Sequence, residues 1–388
     1  MRRLFLAAAI AILSSFAAKG AEKGAVDIVF GPWIQNVTDN SFTVLWTSSE
    51  KVLAWLDVDR ADGPGFYQKD RTRYYQDIVG RHYAGTFHSI EVTGLEPGTE
   101  YRFRIAGQVV EDESTNAHAI NFGPQKAVKK YFVVKTLDSK AEKCRFCVVN
   151  DIHANDARYK ALMAPVKRED VDFVVLNGDM VSVVKEIDTL IKHTFVPMAE
   201  LAAGCPIVYA RGNHEGRGAD WYLTPKVFPT PTGEFYYTFR QGPCAFVVLD
   251  AGEDKPDNDV EYSGTAAFDA YRAKELEWLK GALKDPSFTS APHKICIMHI
   301  PTFNEKNTWY TQKWITENFA PLLNAAGVKL MISGHHHHFI LKQPGDYNNR
   351  YTIYVNACDE RLDVEADSHT ISLRSYSTDG TLMHSLDL

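Results

Sequence analysis

The chain has 388 residues, 45% of them hydrophobic and 23% charged, a globular balance that excludes a disordered or collagen-like polypeptide. A formal net charge of −7 leaves no basic excess, so a duplex nucleic-acid binder held by phosphate contacts is excluded. An anionic substrate would need locally supplied positive charge, which metal ions can provide.

Arg2 and Arg3 precede an apolar run from Leu4 to Phe16, with small residues at and after its end (Ala17, Ala18, Gly20, Ala21). This is the order of a secretory signal peptide, and about thirteen apolar residues are too few to span a bilayer. Residues 1–21 are therefore expected to direct export to the periplasm or medium, with no stable membrane anchor. The six cysteines are too few for a disulfide scaffold in a chain of this length. Cys147, Cys244 and Cys296 lie in apolar runs and read as small buried hydrophobes.

Residues 25–137 read as an all-β module. Phe42, Val44 and Trp46 alternate with Thr43, Leu45 and Thr47, which predicts a strand with one apolar face. Tyr101, Phe103 and Ile105 alternate with Arg102 and Arg104 in the same way, after a turn at Leu95-Glu-Pro-Gly-Thr-Glu-Tyr101. This stretch resembles the fibronectin type III sandwich. The resemblance implies that Trp46 is its core tryptophan and that the Tyr101 hydroxyl bonds back to nearby backbone. A sandwich by itself implies only a scaffold. The short connection to the next strand predicts that the sandwich packs against the C-terminal part of the chain.

From residue 140 to 388 short apolar runs alternate with helical stretches, the layering of an α/β domain. Strands are expected at Phe146–Asn150, Phe173–Asn177, Ile207–Ala210, Ala245–Leu249, Lys294–His299 and Leu330–Ser333. Helices are expected near Asp156–Val166, Ile187–Leu201, Phe268–Leu283 and Thr311–Ala325. From Phe339 to Leu388 the pattern predicts antiparallel strands.

Polar residues with ligand chemistry come directly after five of these strands: Asp151-Ile-His153, Gly178-Asp179, Gly212-Asn213-His214-Glu215, His299, and Gly334-His335-His336-His337-His338. The carboxyl ends of strands in an open α/β sheet share one rim, so these groups can converge. Core packing gives no reason to gather them there. Carboxylate, imidazole and amide oxygen, without thiolate, suit hard-to-borderline divalent or trivalent ions such as Fe, Mn, Zn or Mg. Asp179 is the best candidate for a carboxylate bridging two ions, because Gly178 allows a sharp turn at the strand end. His214, beside Asn213, can act on a leaving group. Arg211 is a candidate for orienting substrate phosphate, with a structural ion pair as the alternative. Glu215 is expected to support the His214 loop, and Asp250 and Glu253 to lie beside a metal-binding histidine. The aromatics Trp221-Tyr222, Tyr236-Tyr237 and Phe303–Tyr310 offer stacking on a nucleobase or sugar, or simple packing.

The ordered set Asp-x-His, Gly-Asp, Gly-Asn-His-Glu, His, Gly-His-x-His resembles the calcineurin-like metallophosphoesterase superfamily. The resemblance implies a four-layer α/β/β/α catalytic domain. Asp151, His153, Asp179 and His337 would hold one metal ion, Asp179, Asn213, His299 and His335 a second, and His214 would donate a proton. A sandwich ahead of such a domain is also similar to the purple acid phosphatases. Those enzymes carry a metal-binding tyrosine three residues after the bridging aspartate and lack the histidine of Asp-x-His. Here those positions are Ser182 and His153, which implies the same architecture with different metal chemistry and no tyrosinate colour.

The reading is an exported, binuclear metal-dependent phosphoesterase acting on small phosphate esters. In it a metal-bound hydroxide attacks phosphorus in line and His214 protonates the leaving group. One alternative is a phosphodiesterase acting on nucleotide-type diesters. The other, of a different class, is a non-catalytic adhesion or glycan-binding protein, which would have no physical need for the ligand set.

Overall fold

A computed structural model describes residues 26–66, 71–113, 120–305 and 308–388. The signal-peptide expectation for residues 1–21 lies outside the described residues. Among them, no helix is long and apolar enough to cross a membrane.

The sandwich is organised by one nineteen-residue strand, Phe42–Arg60. Its first half pairs with Ile28–Gln35 and Ala84–Val92, its second with Glu100–Asp112 and Thr72–Tyr75. The register shifts between Thr47 and Val52, where the strand passes from one set of partners to the other. Phe42, Val44, Trp46, Ile90, Phe103 and Ile105 form the core of the sandwich. The Tyr101 hydroxyl accepts the Glu96 N–H at 2.9 Å, as the fibronectin-type corner implies.

The single apolar face expected for residues 42–47 is only half of what is found. Leu45 on the opposite face is also buried, in a cluster with Trp33, Phe87, Tyr159, Ile191 and Phe195. The reason is the α/β part, which covers that face. Trp33 stacks on Phe195 with ring centroids 4.6 Å apart, and its indole N–H donates to the Val227 carbonyl at 3.1 Å. Ile28–Gln35 also pairs in parallel with Pro206–Ala210 through Ile34↔Pro206 and Gln35↔Ile207. Backbone hydrogen bonds therefore run from the sandwich into the first sheet of the C-terminal domain.

That domain holds two sheets face to face. In the first, Cys144–Val149, Phe173–Asn177 and Pro206–Ala210 run parallel, and Glu360–Ala366, Ile371–Ser377 and Leu382–Asp387 continue it antiparallel. In the second, Cys244–Leu249, His293–Met298, Leu330–Ser333 and Thr352–Val355 run parallel, with Tyr237–Gln241 and Ile340–Lys342 antiparallel at its two edges. Phe146, Phe173, Phe246, Ile295 and Leu362 fill the space between the sheets. Helices Asp156–Met163 and Ile187–Phe195 cover the outer face of the first, and Phe268–Ala282, Tyr310–Asn318 and Ala320–Ala326 that of the second. This is the α/β/β/α arrangement.

Three local expectations are corrected. The helix expected at 187–201 ends at Phe195, because Pro197 cannot continue its hydrogen bonding; a 3₁₀ turn and the short helix Ala199–Ala202 come next. The helix expected at 311–325 is divided at Phe319, two residues before Pro321. Within the C-terminal stretch, Thr352–Val355 pairs in parallel with Leu330–Ser333, because the intervening excursion returns the chain to the sheet in the same direction.

Candidate metal centre

All five motifs lie just past the carboxyl ends of strands. Asp151 comes after Cys144–Val149, Asp179 after Phe173–Asn177, Asn213 and His214 after Pro206–Ala210, His299 after His293–Met298, and His335 after Leu330–Ser333. The turns are tied to one another by backbone bonds: Asp151 N to Gly178 O at 3.0 Å, His153 N to Asp179 O at 2.9 Å, and Gly334 N to His299 O at 2.9 Å.

The conformations needed are unusual. Asp151, His153, Asp179, His335 and His337 all have positive φ, half of the ten such non-glycine residues among those described. Each costs about 1–3 kcal/mol, and such strain persists only where surrounding structure enforces it. Gly178 also has positive φ (+81°), and a Cβ there would stand 2.6 Å from the Gly212 backbone and from His299 Nδ1. Only glycine lets these turns approach so closely.

Asp179 is the centre of the arrangement. Its Oδ2 lies 3.2 Å from His299 Nε2 and 3.8 Å from both His153 Nε2 and His214 Nε2. Its Oδ1 accepts the His214 backbone N–H at 3.0 Å. Asp151 Oδ2 accepts the His335 backbone N–H at 2.9 Å, while Oδ1 faces His337 Nε2 at 3.3 Å. His335 Nδ1 is 3.2 Å from Asn213 Oδ1. Three groups of closely spaced ligand atoms result: Asp151, His153 and His337; His153, Asp179 and His214; and Asp179, His299 and His335. All seven expected ligands thus stand together with His214, whereas His336 stacks on Phe303 and belongs to none of the groups.

The donor chemistry fits metal ions. Asp151 Oδ1 and His299 Nε2 are buried without an aligned hydrogen-bond partner. His153 Nε2 and His337 Nε2 face each other at 3.2 Å, two ring nitrogens of one type aimed at the same place. The other ring nitrogens are fixed from behind. His299 Nδ1 lies 2.7 Å from the Asn177 carbonyl, and His214 Nδ1 2.9 Å from the Ser182 carbonyl, so each donates there and turns Nε2 inward.

Electrostatics point the same way. Burial acts to raise the Asp179 carboxyl, but His299 and His214 outweigh it and hold the group well below the usual carboxylate range. Burial acts to lower His299, but Asp179 and then Asp151 raise it to about 10. Burial, reinforced by His299, lowers His335 to about 3. With protein charges alone, a proton on His299 offsets the two buried carboxylates, a task a cation can assume.

Glu215 from the Gly-Asn-His-Glu motif and two arginines outside the motifs, Arg158 and Arg217, support the site. The buried Glu215 carboxylate accepts the backbone N–H groups of Asp179, Met180 and Gly212 at 3.0, 2.7 and 3.1 Å, which gives its expected loop-supporting part a definite form. Arg158 Nη2 donates to the carbonyls of Asp151 and Ile152 at 2.6 and 3.0 Å. Arg217 Nη1 lies against the His214 ring, 3.2 Å from Nε2, and its Nε and Nη2 bind Glu253 at 2.6 and 2.7 Å. An arginine three residues beyond the Gly-Asn-His turn was the available sign for it.

Arg211 forms a buried bidentate pair with Asp250 at 2.8 and 3.0 Å, the ion-pair alternative to substrate contact. Asp250 and Glu253, expected beside a metal-binding histidine, instead serve Arg211 and Arg217, because the loops bring those guanidiniums closer. Tyr236 and Tyr237 are buried, while Trp221, Tyr222, Trp309 and Tyr310 are exposed. The departures at Ser182 and His153 are one feature: Ser182 Oγ lies 3.1 Å from His153 Nδ1.

Fold and site define an α/β/β/α protein that gathers metal-type ligands at the carboxyl ends of its strands, behind a β-sandwich. The family profile of calcineurin-like phosphoesterases matches residues 144–339, and that of fibronectin type III domains matches residues 30–120. The chain belongs to the calcineurin-like phosphoesterase family.

Among curated proteins it is 26% identical over 173 residues to the serine/threonine-protein phosphatase CPPED1 of Danio rerio, covering 42% of this chain and 53% of that one. It is 22% identical over 299 residues to purple acid phosphatase 23 of Arabidopsis thaliana, covering 68% and 59%. The chain thus spans little more than half the length of these relatives. The purple acid phosphatase PPD1 from yellow lupin superposes on 93% of this chain and 74% of its own, with a TM-score of 0.68 at 14% identity, a likeness of fold.

Proposed function

We propose that this protein is an exported, binuclear metal-dependent phosphoesterase that hydrolyses small phosphate esters. The observation that carries the reading is Asp179 Oδ2, buried and ringed by the Nε2 atoms of His299, His153 and His214. Asp151, His153, Asp179 and His337 would hold one ion, and Asp179, Asn213, His299 and His335 the other. Two such ions supply positive charge against the phosphoryl oxygens and lower the pKa of a water nucleophile.

The chain's own residues do the rest. Glu215 fixes the Asp179 turn through three backbone N–H groups. Ser182 O orients His214 so that a proton on Nε2 faces the reacting ester, where it can pass to the departing oxygen. Arg217, against the same ring, limits its rotation. Export is proposed on residues 1–21 alone. The adhesion reading is disfavoured because strained backbone and orphaned buried ligand atoms would then serve nothing.

The test is metal analysis of the purified protein, with phosphate release from a panel of monoesters and diesters after reconstitution with iron, manganese, zinc or magnesium. About two ions per chain and metal-dependent hydrolysis are expected. No bound metal under any supply, with no turnover, refutes the proposal, and preference for diesters selects the phosphodiesterase alternative.

A further inference from the structure

Beside the metal centre, on the His214 side, lies a cavity of about 630 Å³, within the range of small-molecule sites. Glu215, Gly216 and Arg217 form part of its lining. Arg217 therefore belongs to both places, touching the His214 ring with Nη1 and lining the cavity. A Cβ on Gly216 would stand 3.1 Å from Arg211 Nη1 and 3.6 Å from the Phe268 ring, so the glycine leaves room beside these two lining side chains.

The lining is rich in aromatic side chains: Trp221, Phe235, Tyr262, Phe268 and Tyr271. Arg211 sits among three of them, 5.7, 5.5 and 5.9 Å from the ring centres of Phe235, Phe268 and Tyr271. Its pairing with buried Asp250 makes it a fixed prop for those rings. Trp221 is 52% exposed. Such a surface offers stacking faces to a flat ligand.

The charges around the cavity are internally matched. Arg211 pairs with Asp250, Arg217 with Glu253, Glu261 with Lys255 and Glu234 with Lys274. Glu215 is engaged by backbone N–H groups. Every charged side chain in the lining therefore already has a partner, which leaves no spare cation for a polyanionic group.

We propose that this cavity receives the leaving group of the substrate and selects a neutral, planar aromatic one. Preferred substrates are then monophosphate esters of nucleosides or phenols, rather than sugar or glycerol phosphates. The inference rests on the phosphoesterase reading, and on His214 acting at the leaving oxygen.

The test compares kcat/KM for adenosine 5′-monophosphate and glycerol 3-phosphate, whose leaving groups are both alkoxides, so their ratio reports recognition rather than leaving-group chemistry. The wild-type ratio should exceed about ten, and Trp221→Ala and Phe268→Leu should each reduce it by about tenfold, mainly through KM. Two variants guard against one misfolding. A wild-type ratio near one, or ratios unmoved in both variants, overturns the inference.

Tryptophan fluorescence gives a readout without turnover: adenosine or phenol should quench it saturably, and Trp221→Phe should weaken the effect. The better of the two probes identifies the nucleoside or the phenol as the source. Normal hydrolysis of glycerol 3-phosphate with no quenching by either probe overturns this inference alone. Quenching with no hydrolysis of any ester overturns the phosphoesterase reading, and with it the leaving-group role, while retaining the cavity's preference for aromatics.

Discussion

Replacing Trp33 by alanine tests whether the sandwich is a structural part of the α/β domain. Trp33 is fully buried, stacked on Phe195 at 4.6 Å, edge-on to Phe87 at 6.0 Å, and bonded to the Val227 carbonyl at 3.1 Å. Truncating a buried tryptophan costs about 3–5 kcal/mol through lost burial and the cavity left behind. Leaving the Val227 carbonyl without its donor adds about 1–3 kcal/mol if no water enters. A total of about 4–8 kcal/mol is comparable with the whole stability of a typical domain, about 5–15 kcal/mol. Trp33→Phe should recover the stacking but not the hydrogen bond, and so cost less.

The assay is urea denaturation monitored by circular dichroism and tryptophan fluorescence, with limited proteolysis to detect release of the sandwich. The interface should open first in Trp33→Ala, giving two transitions where the wild type gives one. A chain lacking residues 25–137 should likewise lose solubility, since Phe195 and its neighbours become exposed. A loss below about 1 kcal/mol in Trp33→Ala, with unchanged proteolysis, would refute the reasoning.

Asp179→Asn should remove at least one metal ion and lower turnover by about a hundredfold or more, the scale of a lost electrostatic group; retention of both ions with near-normal activity counts against the bridging position. His214→Ala should keep its metals and lose about 10²–10⁴-fold on alkyl phosphates, but much less on nitrophenyl phosphate, whose leaving group needs no proton. Equal losses on the two substrates would assign His214 another task. Metal-free protein should become less stable as pH rises from about 7 to 10, whereas below about 6.5 the lowered His335 and His88 act with the opposite sign. The raised His299 contributes stability that is complete below its ordinary 6.5 and lost through about 10, and the raised Glu215 favours the folded state below its ordinary 4.5 and ceases to do so through about 7. Metal loading should flatten that slope, and a metal-free melting temperature constant over the range would contradict it. Iron-loaded protein should show no tyrosinate absorption band, because Ser182 stands at the position in question and its hydroxyl contacts His153; a visible band of that type would refute the distinction.

Much of this protein is legible along the chain because the information is local. The strand at Phe173–Asn177 and the one at Leu330–Ser333 end where their apolar runs end, since burial on both faces demands unbroken hydrophobic residues. The metal-type residues are legible because each comes directly after such a run. The breaks before Pro197 and Pro321 are local too, with proline chemistry accounting for both, but the expected helices at 187–201 and 311–325 ran through them.

Tertiary structure alone decided the rest, and always for one reason: the partner lies far away in sequence. Trp33 meets Val227 across 194 residues, and nothing near Trp33 distinguishes an interface tryptophan from a core one. Leu45 sits in a polar alternation yet is buried, because another domain covers that face. Arg211 and Arg217 look alike in sequence, but one is paired with Asp250 away from the histidines and the other rests on His214. Sequence supplied the ligands and their order; the crossing of the two sheets' strand ends determined which atoms face which, and at what distance.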